Sequence, residues 1–506
     1  MSEYINALMI CLQPVNLLLI VAMVSLGIVF GAIPGLSATL GIALLLPVTF
    51  GLSTETSFVL LLAIWIGGVS GTFISAVLIG IPGSSSAIAT CFDGFPMTKN
   101  GEAGKALGIG MTASFIGTVG SVALATVLSP VIADFALHLG PWEYFSLCFC
   151  AITLVASLSK GNIFKGIMAA GIGLLMGCIG MDPINGATRF TFGNVYLTAG
   201  VSTVAQMLGM FAMCQIIRDS AKGEASMPDA DVGKMKGLGV GFKDIIQNIR
   251  TILFAFVSGV WIGFLPGMGS GISNMVAYGY AKSISKDPES FGKGNPAGVW
   301  ASEVANNASL GGALIPMMAL GIPGDGITAM LIAGLTIHGL QAGPLFMTEQ
   351  PDLAMLIFAC VMVSAIITYI IQIVTKRWFP YILKVPYHYL YTVILVICYI
   401  GGYGISNTMF NIYVMLALCF LAIFMSMAAL PTSPLVLAFI LSSKLERYFR
   451  QGISYAHGSY AEFFTRPLSA ALLVISVFCV VWPLYSEHRK KMAAAAPAVQ
   501  SDVNDD

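Results

Sequence analysis

Charge is what this chain has least of. Asp, Glu, Lys and Arg make up 9% of its 506 residues and hydrophobic residues 57%, whereas a soluble domain carries about 25% charged residues. The charges also cluster, leaving uncharged runs at 4–54, 56–92, 106–133, 190–217, 251–281, 304–324, 326–348, 353–375, 385–443 and 467–486. Mean hydropathy is +0.87. That pattern excludes a water-soluble globular protein. The 24 basic residues balance the 24 acidic ones, so no attraction to nucleic acid is implied. The ten cysteines show no CxxC spacing, which favours buried thiols acting as small hydrophobes over a metal centre. A P-loop is missing, as is a convincing nucleophile–base pair, so an ATP-driven machine and an enzyme both lack support. The first apolar run has no basic leader and far exceeds signal-peptide length, so it is expected to stay as a membrane segment.

Long apolar runs are what the chain does have. A spanning helix takes about 20 apolar residues, so these runs accommodate about 10–12 transmembrane helices plus re-entrant or broken pieces. The expected fold is an all-α polytopic membrane protein. Membrane lipid is its surroundings.

Several runs are interrupted. Gly80-Ile81-Pro82-Gly83 recurs as Gly321-Ile322-Pro323-Gly324, and Gly31-Ala32-Ile33-Pro34-Gly35 as Gly263-Phe264-Leu265-Pro266-Gly267. Proline removes a backbone donor and disfavours helix at the residue before it, while glycine allows the chain to turn. A helix broken inside lipid is tolerated only where protein or a polar cavity covers the freed backbone groups. We therefore read Pro34, Gly35, Pro82, Pro266, Gly267, Pro323 and Gly324 as helix breaks. Gly71 stands before the first GIPG with the same spacing as Gly312 before the second, so the landmarks recur in order. Two structural repeats follow, at 1–217 and 251–486, joined by a polar cytoplasmic linker at 218–250 and followed by a disordered tail at 487–506. Charge flanks leave the parity of crossings open; inverted repeats are the preferred arrangement.

These same blocks carry a family resemblance. The GxxPG opening, GIPGSSSAIATCFDGFPMTKNGEAGKALG at 80–108 and GIPGDGITAMLIAGLTIHGLQAGP at 321–344 resemble the large membrane subunit of tripartite tricarboxylate transporters, the TctA family. The resemblance runs over essentially all of 15–486. It implies a multi-pass protein of the bacterial inner membrane. Its expected partners are a small four-helix membrane subunit, TctB-like, and a periplasmic substrate-binding protein, TctC-like. The implied activity is uptake of a carboxylate (a tricarboxylate, dicarboxylate or aromatic acid) with Na⁺ or H⁺ and no other cofactor. Importing a trianion against a negative interior costs about 7 kcal/mol per 100 mV, which calls for co-transported cations. A passive anion channel with a broken-helix filter is the alternative.

The polar residues at the breaks are the site candidates. After Pro82, Gly83 frees the backbone, and Ser84, Ser85 and Ser86 fall at a helix start. Hydroxyls, free N–H groups and the positive dipole end there suit a carboxylate; capping and packing alone is the plainer role. At the second break Asp325 stands where Ser84 does. It either caps the following helix or helps to hold a coupling cation. Ser37 and Thr39, with Ser270, Ser273 and Asn274 in the other half, offer oxygens to a hard cation such as Na⁺, or simply pack helices. Glu303, Asn306 and Asn307 share one helix face, where cavity lining and substrate contact is preferred to interhelical bonding. His138, His388 and His457 read as loop or satisfied-core residues. Arg189 reads as a membrane-edge anchor, and Tyr387, Tyr389, Tyr391 and Trp482 as interfacial aromatics.

Overall fold

A computed structural model describes residues 2–157, 163–221, 239–383 and 387–495. Its first half runs α1 Ser2–Cys11, α2 Pro14–Ala32, α3 Ala38–Leu45, α4 Thr54–Gly71, α5 Phe73–Ile79, α6 Ile88–Lys99, α7 Ala103–Leu137, α8 Pro141–Ser157 and α9 Ile163–Gly177. A two-stranded hairpin, β1 Gly180–Met181 against β2 Thr188–Arg189, leads to α10 Thr203–Met207 and α11 Cys214–Ala221, bridged by a π-helical turn over Leu208–Met213. The second half runs α12 Phe242–Gln247, α13 Ile249–Phe264, α14 Gly269–Ile284, α15 Pro296–Leu320, α16 Gly326–Ile337, α17 Pro344–Glu349 and α18 Pro351–Thr375. It ends with α19 Phe379–Ile382, α20 Tyr387–Gly404, α21 Met409–Met427, α22 Thr432–Tyr455, α23 Glu462–Thr465 and α24 Pro467–Ala495.

The fold is largely α-helical and polytopic. Among the described residues, five helical stretches are long and apolar enough to cross a membrane: Pro14–Ala32, Thr54–Ile79, Ala103–Leu137, Pro351–Ile382 and Met409–Met427. Shorter apolar helices such as Ile249–Phe264 and Gly326–Ile337 stand beside them.

Two pillars carry the core. Every residue of α4 from Ser57 to Gly71 is buried, as is every residue of α15 from Gly298 to Ala319. Burial on every side places both helices inside the bundle, surrounded by other helices. The pillars are approached very closely because glycines face backbone. Gly31 of α2 abuts the Gly68 carbonyl of α4, and Gly263 of α13 abuts the Ser309 carbonyl of α15. Small residues at such contacts let helix backbones meet where lipid offers no hydrophobic drive. Outward faces remain apolar: Leu253, Val257 and Trp261 on α13, and Ile366, Ile370 and Val374 on α18, are exposed.

Each break falls where the sequence places it. The chain leaves helix at Ile33 after α2 and at Leu265 after α13, and passes through left-handed glycines at Gly80 (φ 71°) and Gly321 (φ 68°) after α5 and α15. One difference concerns the restart after Gly83. A single 3₁₀ turn at Ser85–Ala87 precedes α6, because Ser84 caps it through Ser86 N–H rather than through a full α-turn. The boundaries around the linker and tail also differ. Residues 218–221 end α11, and 239–250 already contain α12 and the start of α13, while 222–238 lie outside the described residues. Helix α24 continues to Ala495, so 487–495 are helical rather than disordered tail; 496–506 lie outside the described residues.

Candidate functional site

A cavity of about 580 Å³ collects the polar break residues of both halves. Its walls include Ser37 and Thr39 at the start of α3, Ser84, Ser85 and Ser86 before α6, Gly267 and Ser270 at the start of α14, and Asp325 before α16. Thr432 and Ser433, which open α22, complete the ring. The N-terminal ends of α3, α6, α14, α16 and α22 thus meet around one space. Each brings free N–H groups and the positive end of a helix dipole. Among the described residues, no Lys, Arg or His lines the cavity, and Asp325 is its one acidic side chain.

Local bonding holds these ends in place. Ser37 Oγ accepts from Leu40 N–H at 3.2 Å, a regular N-cap. Ser84 Oγ and Ser86 Oγ lie 2.7 Å apart, and Ser86 Oγ is 3.4 Å from Thr72 Oγ1 at the junction of α4 and α5. Ser85 is exposed to the cavity, whereas Ser86 is buried. Asp325 forms a reciprocal cap with Thr328: its Oδ1 accepts from Thr328 N–H at 2.8 Å, and its own N–H donates to Thr328 Oγ1 at 2.9 Å. Capping is therefore an observed contact of Asp325, which also lines the cavity.

Several expected contacts lie elsewhere. Gly83 does not line the cavity; it is buried against the Gly31 carbonyl and Thr72, where only a residue without Cβ fits. Asn274 also stands behind the wall. Its Nδ2 donates to the carbonyls of Ser85 at 3.2 Å and Ser86 at 2.8 Å, and its Oδ1 accepts from Ala89 N–H at 3.4 Å. It fastens α14 of the second half to the serine turn of the first. Asn306 and Asn307 are wholly buried and not cavity-lining, contrary to expectation. Asn307 instead joins helices: Oδ1 accepts from Ser70 of α4 at 2.9 Å and Thr118 of α7 at 3.3 Å, and Nδ2 donates to Ser114 at 2.9 Å. The reason is their position in mid-pillar, where unpaired amides cost more than paired ones. Ser273, equally buried, donates to the Ala305 carbonyl at 3.1 Å.

Arg189 is no free anchor. It forms a two-pronged pair with Glu446 of α22 at 2.8 and 3.0 Å, and Arg450 bonds Asp182 at 2.7 Å. The N–H groups of Asn185 and Ile184, with the Arg450 guanidinium, hold the Asp182 carboxyl well below the usual carboxylate range. This pairing clasps the β1–β2 hairpin to the far end of α22.

Residues 17–437 match the tripartite tricarboxylate transporter TctA family. The chain belongs to this family. It is a transport protein of the inner membrane, multi-pass and not an enzyme. This TctA-family chain is 32% identical over 480 residues to an Agrobacterium vitis protein described as "Uncharacterized 52.8 kDa protein in TAR-I ttuC' 3'region", covering 95% of each. A second protein of that organism, described as "Uncharacterized protein in TAR-II ttuC' 3'region", is 30% identical over 233 residues, 46% of this chain and 96% of the relative. No solved structure matches.

Two features of the TctA-family site escaped the sequence. Pro431-Thr432-Ser433-Pro434 is a break of the same kind as the others, but it lies outside both repeated blocks. Lys444 of α22 donates its Nζ to the Gly321 carbonyl at 2.8 Å. It satisfies a carbonyl at the C-terminal end of α15, where a cation is favoured.

Proposed function

We propose that this chain is the large membrane subunit of a tripartite, binding-protein-dependent secondary transporter that imports carboxylates with Na⁺ or H⁺ by alternating access. One observation carries the reading: helix N-termini from both halves converge on a cavity with hydroxyls and, among the described residues, no cationic side chain. Such ends bind carboxylates through N–H groups and dipoles. A site without Lys or Arg also releases its anion more readily than a full ion pair would, as a carrier requires. Ser84, Ser85 and Ser86 are the proposed substrate contacts, together with Thr432 and Ser433. Ser37, Thr39, Ser270 and Asp325 supply oxygens for a coupling cation. Asn274 serves that cation indirectly by holding the serine turn.

The two halves are proposed as inverted repeats. Matching close contacts support the relation: Gly71 abuts the Ile28 carbonyl as Gly312 abuts that of Val260, and Gly83 abuts Gly31 as Gly324 abuts Gly263. Inverted repeats let half-helices from opposite membrane faces end at one midplane site. A small TctB-like subunit and lipid would cover the exposed apolar faces of α13 and α18, and a TctC-like periplasmic protein would deliver substrate.

The test is uptake of labelled citrate into liposomes holding this chain with its small subunit and binding protein. Accumulation is expected to rise with an imposed Na⁺ or pH gradient. Uptake indifferent to both gradients would overturn coupling and leave the passive channel.

A further inference from the structure

We propose that Glu303 is the proton site of this transporter, a buried carboxylic acid that loads and unloads H⁺ during transport. The inference rests on the coupled-uptake reading and names its ion and residue. Glu303 lies wholly buried in the middle of α15, outside the cavity. Among the described residues no Lys, Arg or His bonds to it. Its contacts are neutral: Thr90 of α6 donates to Oε1, while Ser114 of α7, Asn306 and Asn307 each stand 3.4 Å from Oε2. Titratable side chains on the surrounding helices include Cys91 and Asp93 on α6, Tyr278 on α14 and, lining the small void beside Ser114, Tyr369 on α18. Asp93 is taken up by the N–H groups of Gly292, Gly294 and Asn295 and by Tyr278. Farther off, at the ends of the packed helices, stand Lys105 (α7), Arg250 (α13), Lys282 (α14), His338 (α16) and Glu349 (α17).

A carboxylate buried without a counter-charge neutralises instead by taking up a proton. The geometry agrees. The proton belongs on Oε2, whose neighbours Ser114, Asn306 and Asn307 all stand off at 3.4 Å, while Oε1 is the oxygen that accepts the close Thr90 hydroxyl. A protonated Oε2 donates to Ser114 Oγ. The Asn306 Oδ1 beside it is buried without a partner, an acceptor held in reserve. A bound metal ion fits poorly, because Asn306 and Asn307 turn their Nδ2 groups, donors rather than ligands, toward Oε2. The space next to Ser114 is a void of about 10 Å³ lined also by Ser70, Thr118, Thr368, Tyr369 and Gln372, about the least that holds one water.

The proton leaves Oε2 by way of Ser114 to water in that void, and the carboxylate left behind needs hydration. Thr90 links this event to the cavity, since it sits on the helix that begins at the Ser84–Ser86 turn. Loading and unloading therefore bear on the first break.

Infrared difference spectra and citrate uptake by the full complex test the proposal. Wild type minus Glu303→Gln should show a protonated-carboxyl C=O band, and pH-gradient-driven accumulation should fall at least tenfold in the variant, more than citrate exchange falls. No band difference, or undiminished response to a pH gradient, overturns the proposal. If Glu303→Gln does not fold, Glu303→Asp should shift both the band and the pH profile of uptake; an unchanged band and profile overturns it. Wild-type uptake driven by Na⁺ alone refutes this inference but leaves coupled transport standing, whereas indifference to both ions refutes both.

Discussion

The backbone N–H of Gly267 donates to the carbonyl of Gly324 at 2.6 Å, so the two breaks of the second half are bonded to each other. In the first half Gly83 lies against the Gly31 carbonyl, where a Cβ would collide. The cavity is thus walled by chain crossings, each dependent on a missing side chain.

Alanine at Gly83 or Gly324 should break a crossing. A Cβ at Gly324 would stand 2.8 Å from the Gly263 carbonyl oxygen and from Ala313 Cβ, and at Gly83 it would collide with the Gly31 carbonyl. Overpacking costs about 1–3 kcal/mol, to be read as a lower unfolding midpoint of the detergent-purified protein together with lost uptake. Gly171 has nothing within 4 Å of that position, so Gly171→Ala should leave both intact or raise the midpoint.

Replacing Ser84, Ser85 and Ser86 together with alanine should weaken citrate uptake more than it lowers folded yield. A hydrogen bond to a charged group contributes about 1.5–3 kcal/mol, so a tenfold or larger rise in KM is expected. Parallel losses of KM and yield would assign the serines to packing.

Asp325 has two separable contributions. Asp325→Ala removes the cap and should cost about 1 kcal/mol, whereas Asp325→Asn keeps a capping oxygen and most of the stability. If the carboxylate also holds the cation, the Asn variant should change the Na⁺ or pH response of uptake while its unfolding midpoint stays near wild type. An unaltered ion response would leave Asp325 as a cap.

The Asp182 clasp should make stability depend on pH in one direction. Its carboxyl titrates below the usual range in the folded protein, so the contribution is present above the unfolded pKa of about 4 and fades as pH falls through it toward the lower folded value. Unfolding midpoints measured from neutral to acid pH should converge for wild type and Asp182→Asn. A constant gap would show that the carboxylate's charge is not what matters.

Most of the architecture was legible from residue order. Uncharged runs reported the membrane, and proline with glycine reported the four paired breaks, because both act through local backbone energetics. The serine turn and Asp325 were legible as helix starts for the same reason. The pillar amides were misread. Helical periodicity places Glu303, Asn306 and Asn307 on one face but does not say whether that face meets a cavity or another helix. The role of Lys444 was not legible either, since its partner at Gly321 is remote in sequence.

By itself, then, the sequence determined that this is a polytopic helical membrane protein interrupted at paired Gly–Pro breaks, because apolar run length and backbone propensity are local quantities. Only the tertiary structure decided that these helix starts surround one cavity, that Asn307 ties α15 to α4 and α7, and that a lone acid is sealed beside it. Those are outcomes of which backbone can approach which, and the approach is set by glycines whose partners lie far along the chain.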